Sequence, residues 1–400
     1  MPGMSRKLFF YQDVDLQFGA KPFSLSKFVQ KYTRPVIVYD RKLIKERIEW
    51  IQNWSGLGRL HYAMKANFNP EILKIFKKMN CGLDVVSLGE MKHALKIGFK
   101  PKDFIFSGVA KSEKELKWAI ENKIYQINIE SLSELQKIIS IAEKKKIKAQ
   151  VALRVNPEID AETHPSISTA LKHSKFGLDF KVAQQAIQII SKSPWVELKA
   201  LSFHLGSQIM NVNVFKKALD VMKPFYVNAQ KTCPELDRLD LGGGLGIDYQ
   251  DADLDEDKMR WVDLQKLFTS ELKDVKAFIL LEVGRFLVAR SGVLLSRVEV
   301  IKHTSYDKSF LILDVGMSQL MRPALYGAYH DIKALKLKSG SVKTFEVVGP
   351  ICESTDVLGD DRSFTEIQEN DFVAICDVGA YGSSMASRYN LRDSALEVFV

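Results

Sequence analysis

Lys65 stands at the end of the run "HYAMKAN", where apolar neighbours would strip water from an amine. Desolvation disfavours an ammonium group and lowers its pKa, as a Schiff-base lysine requires. A lysine snorkelling from a strand end is the other reading of that spacing. Glu282 follows the apolar run in "FILLEVGR", and a buried carboxylate needs a partner. Arg285 could be that partner in an ion pair. A protonated ring nitrogen of a bound cofactor is the alternative, and such a pairing makes the ring an electron sink. The glycines 242 to 244 of "LDLGGGLG" let backbone N–H groups come close to an anion, or they simply build a tight strand-to-helix turn. His204 and Ser207 in "SFHLGSQ" suit a ring stacked on an aromatic cofactor beside a phosphate contact; a hydrogen-bonded core histidine fits the same pattern.

These residues share a place in the pattern. From about residue 58 to 285, eight short apolar runs alternate with longer amphipathic stretches: "LHYAMKAN", "GLDVVSLGE", "DFIFSG", "YQINIE", "AQVALRVN", "LKALSFHLG", "RLDLGGGLG" and "FILLEVGR". Runs of this length separated by helical periods such as "PEILKIFKKMN" read as buried parallel strands with crossover helices. Eight units predict an α/β (β/α)8 barrel, with an open doubly wound sheet as the competing architecture. In a barrel the strand ends form the mouth. Lys65, Asp84, Arg154, His204, Gly243, Glu282 and Arg285 all fall at or near those ends.

After Arg290 the texture changes to strand-like segments, "VLLSRVEVIK", "SFLILDVG", "TFEVVGP", "FVAICDVGA" and "ALEVFV", without long helical periods. The division expected is residues 1–35 as a segment packing with the β-rich part, 36–290 as the barrel, and 291–400 as a mainly β C-terminal domain. "HTSYDKS" reads as a hairpin turn, and "VVGPICESTD" as a corner.

The 400 residues, 46% of them hydrophobic, suffice for two domains with their own cores. A formal charge of +8 comes from lysines interleaved with glutamates on helical faces, which argues against a nucleic-acid surface. The four cysteines form no C-x-x-C pair, so neither a metal site nor a disulfide framework is expected, and a reducing cytoplasm fits. No apolar window approaches a membrane span, and "LFFYQDVD" is too short for a signal core.

Taken together, "HYAMKAN", "CGLDVVSLGE", "THPSIST" with "KFGL", "FHLGSQ", "LGGGLG", "EVGR", "MRPALYGAYH", "VVGPICESTD" and "DVGAYGSSMASRYN" resemble, in one order along nearly the whole chain, the fold-type III pyridoxal-phosphate decarboxylases. Within that group the resemblance is to the branch acting on diaminopimelate. It implies a barrel plus a β-rich domain, pyridoxal 5′-phosphate as cofactor, and conversion of meso-2,6-diaminopimelate to L-lysine and carbon dioxide, the last step of lysine biosynthesis. It further implies that Lys65 holds the cofactor covalently, His204 stacks on its ring and Glu282 faces the pyridine nitrogen. Asp84, Ser207, Gly243, Gly244, Gly284, Arg285 and Tyr381 complete the cofactor set. Arg285, Arg322, Tyr326, Glu353 and Tyr381 fall to the substrate, and Cys352 is the acid that returns a proton to carbon. A homodimer in which the "CES" segment completes the partner's site is implied in the same way.

The chemistry of the two ends agrees with those roles. A thiol of reference pKa about 8.5 stays protonated near neutral pH, so Cys352 can donate; outside this motif a buried structural cysteine is the default. An arginine fork binds both oxygens of a carboxylate, so Arg285 and Arg322 favour a dicarboxylic substrate over a simple diamine. Arg322 before Pro323 also fits a surface strand cap. Two positions depart from the family: Val283 where proline is usual in "EVGR", and Ala170 where glycine is usual after "THPSIST". Neither removes a reacting group, so altered kinetics are expected before lost activity. The other functional readings are decarboxylation of ornithine, arginine or a carboxylated polyamine, a racemase sharing the plan, and a non-catalytic cofactor binder.

Overall fold

The eight apolar runs close on themselves as a parallel barrel. Its strands, in chain order, are Arg59–Ala63, Gly82–Val85, Phe104–Phe106, Gln126–Ile129, Ala149–Arg154, Val196–Ser202, Arg238–Asp240 and Phe278–Val283. This computed structural model describes residues 6–160 and 174–400, so Ala170 and the "THPSIST" block lie outside the described residues. Closure joins the last strand to the first in register, with Glu282 beside His61 and Val283 beside Tyr62. The second strand sets Asp84 beside Ala63, two residues before Lys65.

Local sequence explains the units. Helix Pro70–Lys78 begins on Asn69, whose side chain accepts the Glu71 N–H, with proline at the first helical position. Helix Glu113–Glu121 carries a reciprocal Ser112–Glu115 capping box. Helix Leu88–Ile97 stops at Gly98, whose φ of +96° is open to glycine at little steric cost. The barrel strands are buried along nearly their whole length, which is why they read as continuous apolar runs and not as alternations.

The chain divides into two units. The barrel unit comprises residues 48–246 and 259–284; the second comprises 1–47, 247–258 and 285–400. The second unit is built on the long strand Gly292–His303, which pairs antiparallel with Ser309–Leu313, Phe372–Ile375 and Val36–Tyr39. The predicted turn "HTSYDKS" joins the first of these pairs, with Thr304 N–H bonded to the Lys308 carbonyl. Val357–Thr365, a strand that sequence reasoning missed, pairs with Val342–Val348 across the predicted "VVGPICESTD" corner.

The expected boundaries at 36 and 290 differ from this division. Val36–Tyr39 is a strand of the β-rich sheet, paired with Gly292–Leu295 on one side and Leu396–Phe399 on the other. Residues 247–258 also join that unit, because Asp257 binds two fully buried arginines, Arg47 and Arg290, at 2.9 Å each. Arg290 pairs in turn with Asp377 at 2.8 Å. Such long-range pairing leaves no trace in local composition.

Candidate active site

In the barrel unit, Lys65 lies in the turn Met64–Ala66 directly after the first strand. Its Nζ is 3.0 Å from Asp84 Oδ2, and its side chain is 41% exposed. The expectation of an amine stripped of water by apolar neighbours is thereby corrected: Met64 and Ala66 are buried, while the amine reaches a carboxylate at the next strand end. Asp84 is 1% exposed, and its other oxygen, Oδ1, has no hydrogen-bond partner.

Glu282 is 9% exposed and forms no ion pair among the described residues. Asn128 Nδ2 donates to its Oε1 at 3.1 Å. Burial, with the negative charges of Asp240 and Asp84 added, pushes its pKa well above the usual carboxylate range. Asp240, fully buried on the neighbouring strand, accepts the Gly242 N–H at 3.0 Å and is raised to about 6, chiefly by burial. Neither Asp240 nor Asn128 was singled out from sequence; their signal was a polar residue inside an otherwise apolar strand.

The glycine tract has two jobs. A Cβ on Gly243 would sit 2.1 Å from the Glu282 carbonyl oxygen, and one on Gly244, at φ +112°, would sit 2.4 Å from the Gly206 carbonyl oxygen. The tract is therefore required for packing against neighbouring segments, as the tight-turn reading held. Gly243 N–H donates to His204 Nδ1 at 3.1 Å, which fixes the neutral tautomer with its proton on Nε2. Burial, then the charges of Arg154 and Lys65, push the His204 pKa well below its ordinary value. Among the described residues the Gly244 N–H has no hydrogen-bond partner, so it is free for an anion. Ser207 lies in the loop after strand Val196–Ser202, and Gly284 packs with its Cα side against Ala63 and Ala66. Arg154, which sequence placed at the mouth, is ion-paired with buried Glu130 at 3.0 Å.

The second unit holds another cluster. Arg285, 7% exposed, donates to the Tyr249 hydroxyl at 2.9 Å and lies 4.9 Å over the ring of Tyr381. Arg322, 4% exposed, opens the short helix Arg322–Tyr326 and lies 4.6 Å over the ring of Tyr249. The surface-cap reading of Arg322 is thus excluded by its burial. No carboxylate pairs with it among the described residues, and its Nε has no hydrogen-bond partner. Tyr326 donates its hydroxyl to Met385 Sδ at 3.1 Å. Cys352 and Glu353 are exposed: Cys352 N–H donates to Asn390 Oδ1 at 3.3 Å, and Glu353 accepts the Tyr389 hydroxyl. Neither makes a hydrogen bond or ion pair with Arg322. Tyr249 and His330, which complete the arginine cluster, were missed from sequence.

The barrel residues fit pyridoxal phosphate. A lysine amine at a strand end, a buried carboxyl lacking a cation, a free backbone N–H in a glycine turn and a neutral histidine are what its aldehyde, ring nitrogen, phosphate and ring face need. Residues 41–289 match the family model described as the pyridoxal-binding domain of pyridoxal-dependent decarboxylases. The fold and this centre therefore define a barrel-type, pyridoxal-dependent decarboxylase.

Relatives narrow the class. The diaminopimelate decarboxylase of Aquifex aeolicus is 38% identical over 94% of this chain and 89% of its own. That of Neisseria meningitidis serogroup A is 39% identical over 94% and 91%. The crystal structure of the Helicobacter pylori diaminopimelate decarboxylase complexed with L-lysine superposes with a TM-score of 0.88 at 36% identity, covering 94% of this chain and 93% of that one. The chain belongs to the diaminopimelate decarboxylase family.

Proposed function

We propose that this chain converts meso-2,6-diaminopimelate to L-lysine and carbon dioxide, with Lys65, Glu282 and His204 holding pyridoxal phosphate. The observation that carries the reading is Glu282, a buried carboxyl with no ion pair among the described residues, on the barrel strand beside the one that Lys65 directly follows. Pyridoxal phosphate, when bound, supplies an electron sink for the bond that loses carbon dioxide. Glu282 holds the proton opposite the ring nitrogen. Asp84 orients the Lys65 amine, and neutral His204 offers a ring face that carries no charge. The Gly244 N–H, with Ser207, Gly243 and Gly284, would hold the phosphate.

The two ends of the substrate divide the remaining residues. A meso compound has one L and one D centre, and L-lysine as product means that the D centre loses its carboxylate. Arg322 and Arg285 hold the retained carboxylate: Arg322 is buried with an unpartnered Nε, and an arginine fork binds both oxygens of a carboxylate. Tyr326, Tyr381 and Glu353 complete that end, and Glu353 takes the retained ammonium group. Cys352 returns a proton to carbon. Its exposure, and that of Glu353, supports a homodimer in which this segment completes the partner's centre. No helix of the described residues is long and apolar enough to cross a membrane, and all four cysteines are free, which supports a cytoplasmic setting.

Purified protein mixed with pyridoxal phosphate and meso-diaminopimelate should yield equal amounts of L-lysine and carbon dioxide. Faster turnover of ornithine or arginine would move the assignment to another amino acid, and cofactor binding without carbon dioxide release would leave only a binder.

A further inference from the structure

His330 ends the block "MRPALYGAYH" and carries no role in the reading above. It is fully buried, with both ring nitrogens in use. Nε2 lies 2.6 Å from Arg322 Nη1, and Nδ1 lies 2.7 Å from the Cys376 carbonyl oxygen. A guanidinium only donates and a carbonyl only accepts, so the partners dictate the tautomer: Nδ1 carries the proton and Nε2 offers its lone pair. Burial, then the Arg322 charge, holds the ring neutral by pushing its pKa well below the ordinary value.

This is an unusual partner for a buried arginine. A carboxylate in the same place would neutralise Arg322, whereas a neutral imidazole anchors one corner of the fork and leaves the charge uncompensated. The other contacts act alike. Tyr249 lies under the Arg322 guanidinium at 4.6 Å, meets the His330 ring edge-on at 5.2 Å, and accepts from Arg285 at 2.9 Å. Arg362 donates to the His330 carbonyl at 3.1 Å, tying the backbone that carries the ring. All of these neighbours hold position without supplying an anion.

We propose that His330 is a positioning residue that aims the Arg322 fork at the carboxylate retained in the product, and so sets the preference of this enzyme for a substrate with a distal amino-acid end over a plain diamine. The inference rests on the assignment of Arg322 to that carboxylate. His330 touches neither substrate nor cofactor in this scheme; it acts through the guanidinium.

The test compares L-lysine with pentane-1,5-diamine, the same skeleton without its carboxylate, each titrated into the holoenzyme and read by the change in bound-cofactor absorbance. His330→Asn keeps a donor for the Cys376 carbonyl but cannot reach Arg322. It should lower the lysine-to-diamine affinity ratio about tenfold, the effect of one lost charge-assisted contact, with diamine affinity unchanged. His330→Gln places an acceptor near the position of Nε2 and should stay within about threefold of the wild-type ratio. A wild-type ratio in His330→Asn, or equal ratios in the two variants, overturns the proposal; a change that weakens both ligands alike means a structural role only. If His330→Asn does not fold, His330→Gln decides, and an altered ratio there overturns the proposal. Arg322→Gln separates the two readings: it must abolish the preference, and if it does not, the carboxylate assignment itself fails.

Discussion

Lys65 Nζ and Asp84 Oδ2 stand 3.0 Å apart, each at or just past the C-terminal end of adjacent barrel strands. The pair holds the amine in place before any cofactor arrives, and it keeps Asp84, which is 1% exposed, from being a buried charge with no partner.

Removing the amine gives the most direct test. Lys65→Ala should abolish the visible absorbance of covalently held pyridoxal phosphate and lower turnover by at least about 10³-fold, in the range seen for loss of a covalent catalyst. Absorbance spectra of the purified variant check this; an unchanged spectrum would reassign the attachment.

Glu282 makes a prediction about the protein without cofactor. Its pKa is raised, so the folded apo-protein holds a proton that the unfolded chain releases as pH rises past the ordinary carboxylate value. Stability from this site is therefore full below that value and is lost as pH climbs toward the raised one. Glu282→Gln removes the titration. The apo-variant should melt about 2 °C above wild type at pH 7, with the difference vanishing near pH 4, while its affinity for pyridoxal phosphate falls. Thermal melts across that range settle the sign.

Cys352 is exposed, so its replacement should leave folding alone. Cys352→Ala is expected to keep cofactor binding and thermal stability, and to slow lysine formation by about 10²–10⁴-fold, the usual weight of a general acid. Wild-type turnover in the variant would remove the thiol from the reaction.

Arg290 bridges Asp257 and Asp377 with no exposed atoms of its own side chain. Arg290→Leu leaves Asp377 in the interior without its arginine, while Asp257 keeps Arg47, and should cost about 3–5 kcal/mol, measured by denaturant unfolding. Because burial raises Asp377 to about 6, with Arg290 opposing that shift, the loss should be smaller at pH 5 than at pH 8.

Much of the barrel was legible in the sequence. Every apolar run became a barrel strand because both faces of such a strand are covered, which leaves a continuous apolar signature. Lys65, Asp84 and Glu282 then fell at or just past strand ends by counting alone. Tyr249 and His330 were not legible: each looks like an ordinary aromatic in a loop, and their meaning comes from arginines 36 residues or 8 residues away. The strand Val357–Thr365 was missed because its "GDDRS" centre has none of the apolar alternation that marks a strand.

The sequence by itself determined the barrel, the β-rich part and the chemistry of the groups, since hydrophobic period and residue type are local properties. Only tertiary structure decided which charges meet. It set Asp84 against Lys65, gave Arg154 to Glu130, left Glu282 and Arg322 buried with no ion pair among the described residues, and drew residues 36–39 and 247–258 into the second unit. The physical reason is that ion pairing and desolvation depend on distances through space, which separation along the chain does not encode.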